Sequence, residues 1–369
     1  MTEPGATPQP SPPHPAWAAL LSTGPEPDGL PGVATGAVVA FGDVQQETQA
    51  LLSGAGMVVP LVTRGALRLS GEDRIDFLQG QLSHDVRRLR PGEARQALLL
   101  DHRGRPRADL VAVRRDQDVY LTVDDGRGEV VRGSLEAHVI FDQVEIQDLS
   151  ARLASFVVAG KAAVEVLAHV LGAPPPAAAG AGVTQVRWRG SDVLLHLRPR
   201  GLQRSLDVHL LSERLPDLWQ VLLAEGVAPA GERALAAARV AAGVAAAAFE
   251  GVDALPQEAG LDDRISYRKG CYLGQEIMAR IEARGNVRRS LARLALASAP
   301  QAEDVAVQAE GDRVVGRVGT VARTPDGRWR ALAVLRNEVG DGVELRALGV
   351  PASVEVRLPA GRHGDAERD

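Results

Sequence analysis

Cysteine is almost missing from this chain: Cys271 is the single thiol in 369 residues. One cysteine excludes an intramolecular disulfide and suits a reducing, cytoplasmic setting. It also excludes a self-contained iron–sulfur centre, because such clusters are usually held by several cysteine thiolates. A role in cluster chemistry would therefore be exercised on other proteins or through a shared ligand set. Aromatic residues make up only 3%, so alanine, valine and leucine carry the hydrophobic load. No apolar run approaches the ~20 residues of a membrane-spanning helix. The eight histidines show no His-Glu-x-x-His spacing, and no metal ligands are assigned. Gly-x-Gly-x-x-Gly and P-loop sequences are absent too, which argues against a nucleotide or flavin domain. A net charge of −5 and a pI near 6.0 argue against direct nucleic-acid binding and against coating an anionic membrane.

What is present divides into five stretches. Residues 1–36 are proline-rich, lack the basic start and apolar core of a signal peptide, and are expected to be a disordered tail. Over 37–150 the pattern is helix, strand, helix and then a meander. Ala66–Ser70 alternates as a strand, and Ser70 with Asp73 approximates a cap for a helix carrying Ile75, Leu78 and Leu82. Turns at 101–104 and 116–118 separate further strands, and a helix follows from Glu129. Residues 151–288 repeat the strand–helix–meander order. From 289 to 360, short strands alternate with Gly/Asp turns, which predicts a small β-barrel; 361–369 is a polar tail. The fold class is α+β.

The densest local chemistry surrounds the thiol, in Lys269-Gly270-Cys271-Tyr272-Leu273-Gly274-Gln275-Glu276. Gly270 and Gly274 allow close backbone approach or positive φ. From Gln275 the pattern reads as a helix, with Ile277 and Ile281 on one face. Cys271 would then precede a helix N-terminus and neighbour a cation, two settings that favour thiolate over thiol. Tyr272 is suited to stacking on a planar ligand or to packing beneath the helix, and Gln275 and Glu276 to capping it.

Lys-Gly-Cys-Tyr-x-Gly-Gln-Glu, approached through Leu255-Pro256-Gln257-Glu258, resembles the signature of the YgfZ-type folate-binding proteins. These are relatives of the glycine cleavage T protein, an aminomethyltransferase. The resemblance runs from about Val38 to Pro359. It implies two T-protein-like folate-binding α+β subdomains followed by the barrel. It further implies tetrahydrofolate or a derivative as ligand, and support of iron–sulfur cluster assembly or repair in client enzymes, tRNA-modifying enzymes among them. Cys271 would be the reactive residue, with Lys269, Gly270, Tyr272, Gly274, Gln275 and Glu276 shaping it. Folate contacts are assigned to Gln257, Glu258, Asp109, Tyr120 and Arg280.

Two departures from the T-protein pattern bear on activity. Ala108 stands where the first carboxylate of an Asp-Asp pair directs folate chemistry, and Asp109 falls one residue later, on the opposite strand face. Ala241 replaces the glutamate that grips the pterin, which makes Glu258 its expected substitute. Aminomethyl transfer is therefore not expected. The rivals to the accessory role are a folate-dependent aminomethyl or one-carbon transferase and a non-catalytic interaction protein.

Overall fold

The computed structural model describes residues 14–21, 30–177, 182–198, 200–202, 204–285, 287–340 and 342–358. Strand alternation builds its first layer. Ala108, Leu110 and Ala112 of Pro106–Arg114, with Leu121 and Val123 of Val119–Val123, turn one way. They pack on Phe77, Leu78, Val131 and Leu135 from the helices Arg74–Gln81 and Gly128–Glu136. The resulting antiparallel sheet has five strands, in the order Glu93–Leu100, Pro106–Arg114, Val119–Val123, Gly65–Ser70 and Glu145–Asp148.

A second, six-stranded sheet runs Ala228–Pro229, Met57–Pro60, Leu153–Ala159, Ser205–Leu211, Ser191–Leu197, Val183–Trp188. Phe156, Val158, Val208 and Val193 back it onto the helices Lys161–Leu171 and Leu215–Ala224. Helix Glu232–Ala242 joins the units: Ala234 and Leu235 pack with Met57 and Val59, while Ala237 and Val240 meet Leu332 and Val334 of the barrel. The barrel closes with six strands between Arg289 and Arg357, which removes every open edge. Its short strand Leu345–Ala347 was not anticipated. No helix among the described residues is long and apolar enough to cross a membrane.

Three expectations need correction. Within the stretch expected to be disordered, Pro15–Leu20 is a helix whose Trp17 is fully buried. Trp17 packs edge-on to Phe156 and Trp219, with ring centroids 6.4 and 5.0 Å away, and its indole N–H donates to the Ser155 carbonyl. Residues 30–36 also hold structure, since the Leu30 carbonyl accepts from Arg233 and Gly32 lies against Thr320; the rest of 1–36 and the tail 361–369 lie outside the described residues. Secondly, Met57–Pro60 belongs to the six-stranded sheet, so the first unit does not hold all of 37–150. Finally, Asp73 caps nothing by side chain in its own helix. Its carboxylate accepts from the Gln143 N–H and ties the helix start to the loop before the last strand.

Candidate functional site

Cys271 is exposed, on a loop ahead of helix Gln275–Arg284. Gly274 has φ +83° there, and a Cβ on it would meet the Asp101 carbonyl oxygen at 2.7 Å, so glycine is required. Gly270 shows no such need: an added Cβ would touch nothing within 4 Å. The Gln275 side chain reaches back to accept from the Tyr272 N–H at 3.0 Å, bracing the loop ahead of the helix rather than capping the helix itself, while Glu276 is exposed in the first turn. Tyr272 lies in the core with Leu98, Leu100 and Met278.

Lys269 does not serve the thiol. Its Nζ donates to the carbonyls of Gln79, Leu82 and His84 at 2.6, 2.5 and 3.1 Å, closing the end of helix Arg74–Gln81. Burial pushes this ammonium down to about 7. Three carbonyl acceptors, which only –NH3⁺ can satisfy together, oppose that fall. The expectation of a cation beside Cys271 is thus replaced by a clamp that docks the motif onto Gln79–Leu82. We expect Lys269→Met to lower unfolding free energy by roughly 1–3 kcal/mol through the orphaned carbonyls, measured by urea denaturation. A neutral result would remove the clamp.

The other concentration of chemistry lies between the sheets. Their apolar faces meet helices, so their polar faces meet each other. Asp109, Asp124 and Asp207 there share Arg64, Arg198, Arg200 and Arg264. Arg64 Nη2 lies 2.6 Å from Asp124 and 3.0 Å from Asp207, Arg200 Nη2 2.7 Å from Asp207, and Arg264 Nη1 2.5 Å from Asp109. Burial alone would raise the Asp207 carboxyl, but the guanidiniums of Arg200 and Arg64 outweigh it and hold it well below the usual range. Beside this network is a cavity of about 50 Å³, whose wall includes Asp125, Glu232 and Phe249. Neither Asp125 nor Glu232 makes an ion pair among the described residues. Burial pushes Glu232 up to about 8, with the nearby Asp125 charge adding to it. Asp125 rises to about 6, first through burial and then through Asp124. Asp125 also holds φ +55°, a strained conformation for a non-glycine residue.

Of the five residues assigned to folate, the structure brings only Asp109 to this cavity. Glu258 is committed elsewhere: its Oε2 accepts from Arg289 at 2.7 Å and from the Leu255 N–H. Gln257 donates to the Tyr267 hydroxyl and to Met278 Sδ in the core. Arg280 is exposed on the motif helix, and Tyr120 lies under the Arg115 guanidinium beside a different cavity. Cys271 and its neighbours do not line the central cavity either. Ala108 and Asp109 do occupy opposite faces, as expected, but the cavity side is the one that keeps the carboxylate. Ala108 points into the helix-covered core. Arg264, Arg198 and Gln96 hold Asp109 on three sides.

Sequence reading missed Asp125 and Glu232, although the Asp124-Asp125-Gly126 run closing a strand was a visible signal. It also missed His196, Asp207 and His209, whose potential ligand atoms lie within 4.8 Å of one another. His196 Nε2 and His209 Nε2 are 3.0 Å apart in a hydrogen bond, His209 Nδ1 meets Ser155 Oγ at 2.7 Å, and Asp207 is bound to arginines. Burial holds both imidazoles well below their ordinary value and hence neutral. With Arg64 and Arg200 on the one carboxylate, the cluster is poorly disposed to a cation.

Residues 36–269 match the GCVT N-terminal domain family model. The chain is 27% identical over 307 residues to the tRNA-modifying protein YgfZ of Vibrio vulnificus, covering 80% of this chain and 89% of that one. It is also 27% identical over 333 residues to the aminomethyltransferase of Geobacillus kaustophilus, covering 86% and 88%. A putative chloroplastic transferase of Arabidopsis thaliana matches at 27% over 297 residues, 76% of this chain and 65% of the relative. Among solved structures, the glycine cleavage aminomethyltransferase T of Bartonella henselae superposes with a TM-score of 0.78 at 17% identity, covering 92% of this chain and 96% of that one. With its motif, its two sheets and its closing barrel, the chain belongs to the GCVT N-terminal domain family, as a YgfZ-type member.

Proposed function

We propose that this protein is a folate-binding accessory factor that supports iron–sulfur cluster assembly or repair in client enzymes, including tRNA-modifying ones, through Cys271. The observation that carries the reading is the exposed thiol on a loop pinned by Gly274 and clamped by Lys269. Such a loop offers its sulfur to another protein rather than to an enclosed substrate. The aminomethyltransferase alternative is less well supported, because Asp109 is locked between guanidiniums.

The central cavity suits a pterin chemically. Asp125 and Glu232 supply acceptors for its N–H donors, and Phe249 supplies a flat face. At about 50 Å³ the space is well below the ~300–1,000 Å³ of small-molecule sites, so binding requires the cavity to open. Glu232 must also give up its proton to accept from the ligand through both oxygens. Affinity for tetrahydrofolate should therefore rise with pH up to about 8, where Glu232 titrates. Glu232→Gln should weaken binding by roughly tenfold to a hundredfold and flatten that dependence. Calorimetric titration of both proteins across this pH range tests it. No heat at millimolar ligand removes folate from the function, and an unchanged affinity in the variant removes Glu232.

A further inference from the structure

The polar layer between the two sheets holds a second cavity, of about 300 Å³. It lies further along the same strands: Tyr120 and Thr122 precede Asp124, Leu194 precedes Arg198, and Leu211 follows Asp207. We propose that this cavity binds a small organic acid, an aromatic or branched-chain carboxylate whose apolar body rests on Leu153, Leu194 and Leu211 and whose carboxylate meets Arg115.

Its size falls at the lower end of small-molecule sites, where the central cavity does not reach. Asp118 is shared by Arg68 at 2.8 Å and Arg115 at 3.2 Å, so Arg115 can turn to an entering anion while Asp118 keeps Arg68. The Arg115 guanidinium is held 4.9 Å above the Tyr120 ring, which fixes its fork at the cavity wall. The Tyr120 hydroxyl makes no hydrogen bond among the described residues and is a ready donor to a carboxylate oxygen. Across the cavity, Arg187 adds a second guanidinium to the wall, donating to the Gly190 carbonyl at 3.0 Å and lying 3.8 Å from Asp192. Three leucines give an inorganic ion nothing to gain, which is why the acid must carry an apolar body. His209 forms part of the wall, but both its ring nitrogens are already engaged by Ser155 and His196. The site is thus built to hold its ligand, with no group free to act as a base. This inference stands independently of folate binding and of Cys271.

The test is titration of the full chain with benzoate, benzamide and inorganic phosphate, read by ligand-observed NMR. Benzoate should bind roughly tenfold more tightly than benzamide, the neutral analogue, and phosphate should not compete. Leu194→Trp should fill the cavity and abolish benzoate binding. Arg115→Met, which leaves Asp118 its ion pair with Arg68, should remove the preference for benzoate over benzamide. Equal binding of benzoate and benzamide to the natural chain, competition by phosphate, or benzoate binding that survives Arg115→Met unchanged would each overturn the proposal. So would the absence of any benzoate signal at millimolar concentration.

Discussion

Asp207→Asn is expected to destabilise the protein by about 3–5 kcal/mol, a large share of the ~5–15 kcal/mol that holds a typical domain folded. The asparagine keeps the shape and removes one charge. Asp207 is fully buried, and its oxygens serve Arg64 at 3.0 Å and Arg200 at 2.7 and 3.2 Å. Without it, two buried guanidiniums are left to share Asp124 with Arg198, and their desolvation is no longer offset. The sign of the pH dependence follows. The folded Asp207 carboxyl lies well below its unfolded value. Its stabilisation is therefore fully present above the ordinary carboxylate range and is lost as pH falls through the depressed folded value. The natural protein should lose stability in acid more steeply than the variant. Arg132→Ala is the control, since its ion pairs with Glu129 and Glu136 are exposed and should contribute nothing measurable. Urea denaturation of all three proteins checks this, and a loss below ~1 kcal/mol for Asp207→Asn would make the network dispensable.

That network explains what the sequence could and could not reveal. Strand period and turn residues exposed most of the elements, the barrel included, because each strand has one apolar side. Period cannot say what the polar side meets. Tyr120, Thr122 and Asp124 alternate as a water-facing set would, and so do Asp207 and His209. In the fold these faces meet another polar sheet, and much of their charge is satisfied by residues far away in the chain, such as Asp207 with Arg64 and Arg264 with Asp109. Trp17 escaped notice for a related reason: proline-rich surroundings read as disorder, while one large ring docked on Phe156 and Trp219 suffices to seat a six-residue helix. Lys269 shows a third limit. Two positions from Cys271 in sequence, it sends its ammonium to carbonyls nearly 190 residues earlier. Neighbours in the chain are not neighbours in chemistry. The motif itself was legible because its demands are local: Gly274 at positive φ, Gln275 turning back on Tyr272, a helix immediately after.

Cys271→Ser is expected to leave the fold intact and to abolish support of iron–sulfur clients. Serine is nearly isosteric, and the exposed position fills no core, so thermal unfolding should match that of the natural chain within error. Function should not survive, because a hydroxyl is a far weaker nucleophile and ligand for soft metal than a thiolate. With Lys269 clamped on the carbonyls of Gln79, Leu82 and His84, no lysine charge is committed to activating the sulfur. What the loop supplies is access: the thiol stands in solvent, with Gly270 leaving open space beside it. Alkylation by iodoacetamide should therefore proceed readily in the folded natural protein and be absent from the serine variant. The decisive readout is the activity of an iron–sulfur tRNA-modifying enzyme in cells that lack their own YgfZ-type protein and carry either form. Restoration by the natural chain and failure of the serine variant, at equal protein levels, would assign the role to the sulfur. Full restoration by Cys271→Ser would reduce the cysteine to an accident of the surface and leave the loop as a docking element alone.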